Sequence, residues 1–137
     1  MDFGKSLDSE HSIIMGEPDM NGIILYQSKY GATKKYTLWL SEKTGFPCVE
    51  TRQARLSDVR EYDTILLGGG IYASGIAGLS FLKKNINDLR GRKIIVFCVG
   101  ASPYEEKANR EIVARNMKDG LSGIPCFFAG AHGTWRR

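Results

Sequence analysis

The chain has 137 residues, 42% of them hydrophobic, and a net charge of +4, which suits one domain with its own core. No apolar run approaches the roughly 18 residues that cross a bilayer, and the first 19 residues lack the basic start and apolar centre of a secretion signal. They hold Asp2, Asp8, Glu10, Glu17 and Asp19 against Lys5, so the remainder is more basic than the net figure and suits an anionic partner.

Residues 1–20 have no sustained periodicity and are expected to be a disordered leader; residues 21–137 are expected to form the domain. Ile23-Ile24-Leu25-Tyr26 is a short continuous apolar run, the pattern of a strand buried on both faces. Ala32, Tyr36, Trp39, Leu40 and Lys43 then recur at helical spacing, and Gly45 with Pro47 closes that helix. Cys48 to Thr51 reads as a second strand, and Ser57 to Glu61 as one helical turn. Tyr62 to Leu67 is a third strand that runs into Gly68-Gly69-Gly70. Leu79, Leu82, Ile86 and Leu89 form the stripe of a helix stopped at Gly91, and Ile94 to Val99 is a fourth strand. Ser102-Pro103-Tyr104-Glu105 is a capping box with proline at the first helical position. The helix it opens carries Ala108, Ile112, Val113 and Met117, and ends near Gly120. Ile124 to Ala129 makes a fifth strand, and the segment after Gly130 is too short for a covering helix. Strand and helix alternate throughout, which demands a parallel sheet with helices on both faces.

In such a sheet ligands bind beyond the carboxyl ends of the strands, and three of the loops there have unusual composition. Ser28-Lys29-Tyr30-Gly31-Ala32-Thr33 has hydroxyls at both ends, a glycine within, and a helix starting at once. A helix N-terminus supplies orphan amides and partial positive charge, which is what a phosphate requires. The bland alternative is a turn in which Thr33 merely caps the helix. Gly68 to Gly78 holds five glycines and Tyr72, which suits a backbone approaching a flat ligand beside an aromatic face, or else a glycine loop with no ligand. Val99 to Pro103 leaves room for a ligand edge, or simply caps a helix.

Other chemistry has little support. His11 and His132 are the only histidines, and no HExxH, Ser-His-Asp or GxxxxGK[ST] pattern can be assembled. No metal-ligand cluster is visible. Lys83-Lys84 and Arg90-x-Arg92-Lys93 have no interleaved aromatics and read as solvated charges, so no nucleic-acid partner is expected. Cys48, Cys98 and Cys126 lie far apart in apolar strands with no CxxC, which fits buried structural thiols in a reducing, cytoplasmic compartment.

Together, Ile24 to Thr33 at the first strand and loop, Tyr62-Asp63 leading to Gly69-Gly70-Ile71-Tyr72-Ala73, and Gly91-Arg92-Lys93 before the fourth strand resemble the flavodoxin-like family. The resemblance is closest to the short flavodoxin-domain branch that includes menaquinone-dependent protoporphyrinogen oxidase, and it covers about residues 22–130. It implies a doubly wound five-stranded parallel sheet, here without the family's last C-terminal helix, so that one sheet face is expected to expose an apolar patch. It implies non-covalent FMN. Ser28, Lys29, Tyr30, Gly31, Ala32 and Thr33 would hold the phosphate, while Gly69, Gly70, Ile71, Tyr72, Ala73, Ser74, Gly100, Ala101 and Ser102 would flank the ring, with no protein acid or base in the reaction. The expected function is electron transfer with a redox partner protein or a quinone; the basic remainder suits an acidic redox partner or a membrane-surface quinone site, and truncation, partner packing or a homodimer would account for the uncovered sheet face. The alternatives are a porphyrinogen oxidase using a quinone and a flavin-free interaction module.

Overall fold

The computed structural model describes residues 21–29, 31–72, 75–99, 106–129 and 135–136. The leader expected over 1–20 and the capping box at Ser102 to Glu105 lie outside them. Strand β1 (Gly22–Gln27) is followed by helix α1 (Ala32–Thr44), β2 (Cys48–Glu50), a 3-10 turn (Thr51–Gln53) and α2 (Leu56–Val59). Next come β3 (Thr64–Tyr72), β4 (Gly75–Ile76), α3 (Leu79–Asn85) with a 3-10 extension (Ile86–Leu89), β5 (Lys93–Val99), α4 (Glu106–Asn116), a 3-10 turn (Asp119–Leu121), β6 (Cys126–Ala129) and β7 (Trp135–Arg136).

The sheet runs β2-β1-β3-β5-β6-β7, with β4 paired to β3. Its five long-range partners, β2, β1, β3, β5 and β6, are mutually parallel, as the alternation of strand and helix demands. Side chains alternate between the faces with period two. Ile23, Leu25, Ile65, Leu67, Ile94, Val96, Cys98, Cys126 and Phe128 share one buried layer with Val59 of α2 and Leu79 and Leu82 of α3, and Ile112 and Val113 of α4 pack against it. Ile24, Leu66, Ile95, Phe97, Val99, Phe127 and Ala129 share the other with Tyr36 and Leu40 of α1. Both faces are apolar because both are covered, which is why the strands read as continuous hydrophobic runs.

Four details depart from the sequence expectation. The buried stripe of α1 is Thr33, Tyr36, Thr37 and Leu40, while Ala32 is exposed, so the inward face is rotated slightly from the predicted one. Helix α2 occupies Leu56–Val59 rather than Ser57 to Glu61. Strand β3 does not end at Leu67. It continues through Gly68, Gly69 and Gly70 to Tyr72, with these glycines paired to Phe97, Cys98 and Val99 of β5. Finally, the expected apolar patch is absent among the described residues: Phe97 and Phe127 are each 2% exposed. These two are register partners on β5 and β6, and Phe97 lies over Gly68, where a side chain would collide with its ring. The chain returns beyond β6 as β7, antiparallel to it, rather than as a helix.

Arg92 fastens the loops at the amino ends of the strands. Its guanidinium donates to the carbonyls of Tyr62 (3.1 Å) and Arg60 (2.6 Å) before β3, and to that of Asp88 (3.4 Å) before β5. Cys98 and Cys126 meet with sulfurs 3.3 Å apart, both buried, and all three cysteines are free. Their hydrogen bond, reinforced by burial, pushes the Cys98 thiol well above the usual thiol range.

Candidate functional site

The carboxyl ends of β1, β2 and β3 converge on one edge. Gln27 closes β1 opposite Gly69, and the chain turns at once into α1. Gly31 is the N-cap of that helix, with φ 91°, a conformation that a side chain strains and glycine adopts freely. Ser28 Oγ accepts the Gly31 amide at 3.0 Å, folding the turn on itself. No side chain caps α1 at Gly31, and no acidic residue stands in the first turn. Thr33 is therefore a buried helical residue and not a cap. The start of α1 keeps its partial positive charge and orphan amides without a carboxylate to neutralise them.

The second predicted loop meets the first through one side chain. Tyr72, the last residue of β3, accepts the Lys29 amide at its hydroxyl oxygen at 2.9 Å, and Lys29 Nζ lies 5.9 Å from the centre of the Tyr72 ring. The ring also lies over the backbone of Gly70, where a Cβ would meet it. Past Tyr72 the chain doubles back, with Ile71 and Tyr72 paired to Ile76 and Gly75 of β4. Gly69 sits beneath the Ala77 carbonyl of that return, where a Cβ would overlap the oxygen. The strand glycines thus make room for the chain's own Phe97, Ala77 and Tyr72.

Between these elements lies a cavity of about 260 Å³ lined by Gln27, Ser28, Lys29, Arg52, Tyr72 and Ala77. Its polar lining offers cations, hydroxyls and an amide and no carboxylate. Arg52 follows β2 and was not singled out from the sequence; the signal available was its place just after a strand's carboxyl end. Its Nε is 3.0 Å from Glu50 Oε2 and 3.1 Å from Oε1. Burial on its own would raise the Glu50 carboxyl, but hydrogen bonds from Arg52, its charge and the Thr51 hydroxyl together hold it below the ordinary carboxylate range. Thr51 also donates to Gln27 Oε1 at 2.8 Å, tying the turn after β2 to the end of β1.

Of the predicted site residues, Ser28, Lys29, Gly31, Ala32, Thr33, Gly69, Gly70, Ile71 and Tyr72 gather at this edge. Tyr30, Ala73, Ser74, Gly100, Ala101 and Ser102 lie outside the described residues, though β5 ends at Val99 beside Gly70, at the same edge. Another cavity, of about 470 Å³, sits at the amino ends of β5 and β6 among Arg90, Lys93, Ile94 and Pro125. It is remote from the edge where open parallel sheets take their ligands. Among the described residues no group of three or more His, Cys, Asp or Glu could hold a metal, and no helix is long and apolar enough to cross a membrane.

The family model described as "Flavodoxin domain" matches residues 23–131, the whole span from β1 past β6. The chain belongs to the flavodoxin-domain family. No curated protein matches it. Solved structures resemble this flavodoxin domain in fold at low identity. A WrbA-like flavodoxin from Agrobacterium tumefaciens is 16% identical over 83% of this chain and 85% of its own, with a TM-score of 0.59. A short-chain flavodoxin associated with a non-canonical PDU bacterial microcompartment is 18% identical over 78% of each chain, with a TM-score of 0.57. A flavoprotein from Lactobacillus acidophilus, solved in complex with FMN, is 17% identical over 82% of this chain and 93% of its own, with a TM-score of 0.56. Counting the five parallel strands alone, β2-β1-β3-β5-β6 is the doubly wound order 2-1-3-4-5, in which ligands bind at the carboxyl-end edge beside the first and third strands.

Proposed function

We propose that this flavodoxin domain binds FMN non-covalently and passes electrons through it. The observation that carries the reading is the turn from β1 to α1: a helix start with a glycine cap, no capping side chain and no acid in its first turn. The donor set there fits a phosphate dianion. Lys29 and Ser28 bring an ammonium and a hydroxyl, Thr33 a second hydroxyl, and α1 its first amides, while Glu50, outside the cavity lining, is paired with Arg52. Ser28, Lys29, Gly31, Ala32 and Thr33 would hold the phosphate, and Gly70, Ile71 and Tyr72 would border the ring. The flavin supplies one- and two-electron chemistry. The chain's own residues bind it, orient it and shield it, and no acid or base among them is required. Lys29, Arg52 and, beside Tyr72, Lys83 give the edge a cationic rim, which favours an acidic redox protein or an anionic quinone-bearing surface as partner.

The finer kinship with quinone-dependent protoporphyrinogen oxidases rests on the sequence resemblance of the first and second loops, and turnover of protoporphyrinogen with a quinone tests it. The principal test of the flavin reading is the visible absorption spectrum of the purified protein, alone and after incubation with FMN. A bound-flavin spectrum is expected, and FMN in excess raises the melting temperature. Gly31→Val and Thr33→Val should weaken FMN far more than riboflavin, which lacks the phosphate. A protein that stays colourless with FMN and shows no thermal shift refutes the reading and leaves a flavin-free interaction module.

A further inference from the structure

The contact between the two loops has a further role if FMN is the ligand, and the inference rests on that reading. Lys29 belongs to the turn proposed to hold the phosphate, and its amide is one of the donors a phosphate there would take. Within the fold itself that amide donates to the Tyr72 hydroxyl at 2.9 Å. Nothing in the local sequence fixes this pairing, because the partners stand 43 residues apart and on different loops. The ring is held over the backbone of Gly70 and within cation–π distance of Lys29, so the hydroxyl is carried by a supported side chain and not by a freely swinging one. The neighbouring Gly31 amide is likewise taken, by Ser28 Oγ at 3.0 Å, but from within the same turn, where a small rotation of the serine releases it.

We propose that Tyr72 tunes the affinity of the site for phosphate: its hydroxyl occupies the Lys29 amide until a phosphate displaces it, so that only a strongly accepting anion opens the turn. A charged phosphate oxygen accepts an amide hydrogen bond about twice as strongly as a neutral phenol oxygen does. FMN therefore wins the exchange and gives up the strength of the tyrosine bond in doing so. Riboflavin ends in a neutral hydroxyl where FMN carries its phosphate, an acceptor with no charge to outcompete the phenol, so it leaves Tyr72 where it is. Tyr72 thus lowers FMN affinity moderately, keeps the turn ordered before a ligand arrives, and moves only for a phosphorylated one.

Tyr72→Phe keeps the ring over Gly70 and deletes the hydroxyl. Measured by quenching of flavin fluorescence, its Kd for FMN should fall about two- to tenfold, the equivalent of one net hydrogen bond, while its Kd for riboflavin stays the same. In parallel, amide NMR of the Lys29 N–H should show a large shift on Tyr72→Phe substitution without ligand, and only a small further difference between wild type and Tyr72→Phe once each is saturated with FMN. Tyr72→Leu, which also removes the ring, serves as the second variant; its ligand-free Lys29 N–H should shift as it does in Tyr72→Phe, and an unshifted Lys29 N–H in both overturns the pairing. FMN affinity unchanged or weakened in Tyr72→Phe overturns the proposal, as does an equal gain for riboflavin, which would mean that the tyrosine obstructs the ring and not the phosphate. If neither wild type nor Tyr72→Phe binds FMN, the flavin reading itself fails and this proposal with it. Binding of FMN without any effect of Tyr72→Phe sinks this proposal alone.

Discussion

Gly69→Ala separates two roles for the strand glycines. If Gly69 serves only to let a ligand approach, a methyl group there leaves the ligand-free protein as stable as before. The structure requires the opposite. A Cβ at Gly69 would overlap the Ala77 carbonyl oxygen, and that obstacle is main chain. Ala77 is itself tethered, its amide donating to the Gly70 carbonyl at 2.9 Å, which holds the return from β3 to α3 close against the strand. Overpacking of this kind costs about 1–3 kcal/mol. For a domain of this length each kcal/mol moves the melting temperature by about 3–4 °C, so Gly69→Ala should melt about 3–12 °C below wild type in the absence of any flavin. Gly75→Ala is the control: its Cβ would stand 3.4 Å from the nearest atom, an ordinary contact, and its melt should fall within about 2 °C of wild type. Circular dichroism melts, with urea titrations to verify that the midpoint moves while the slope does not, make the measurement. A ligand-free Gly69→Ala protein that melts with the wild type would refute the packing account.

Arg92→Ala removes the donors that join the loop before β3 to the loop before β5, and should lower urea stability by about 1–3 kcal/mol. Arg92→Lys should recover little, since one ammonium cannot span the carbonyls of Tyr62, Arg60 and Asp88. Of the three thiols only the half-buried Cys48 should react quickly with Ellman's reagent in the native protein, because Cys98 and Cys126 are buried and Cys98 stays protonated; denaturant should release all three. The same pair should resist oxidation to a disulfide. Cys126 is in register with Val96, two residues from Cys98, a Cα separation of about 8 Å from strand geometry, against roughly 4.4–6.8 Å in disulfides; a mass loss of two hydrogens in native protein treated with diamide would contradict this. The Glu50 carboxyl is held below its unfolded value, so its contribution to stability is present above about pH 4.5 and disappears as the pH falls through the lower folded value. Arg52→Gln should therefore be slightly less stable than wild type at pH 7, by under about 1 kcal/mol because Arg52 is largely exposed, and the two should converge in acid; a gap that widens below pH 4 would be the wrong sign.

The elements most legible in the sequence are those whose burial is symmetric. Ile23 to Tyr26, Ile65 to Leu67, Ile94 to Val99 and Cys126 to Ala129 are apolar at every position because helices cover both faces, and a continuous run leaves little room for another assignment. Gly68 to Gly70 mislead for a definite reason. Glycine has no side chain to display periodicity, so a strand glycine that accommodates Phe97 or Ala77 has the same local appearance as a loop glycine. Strands β4 and β7, two residues each, are too short to carry a period at all. At the site, the turn from Ser28 to Thr33 was legible because hydroxyl, glycine and helix start are contiguous. The pairing of Lys29 with Tyr72, the presence of Arg52 on the cavity wall and the stapling by Arg92 depend on contacts between distant segments, which no local pattern encodes.

The order of strands has a consequence for how this chain comes off the ribosome. β1 lies inside the sheet, between β2 and β3, yet its partners arrive late: Ile24 waits for Cys48 on one side, and Gly22 waits for Thr64 on the other. Every parallel pairing spans a crossover, so long chain closures precede the reward of the core, a topology that folds slowly. During synthesis Ile23, Ile24 and Leu25 emerge first as an apolar strand with both edges open, the kind of segment that chaperones bind and that pairs with neighbouring chains when they do not. A strand that ends flanked on both edges is thus one that must be protected while it is being made.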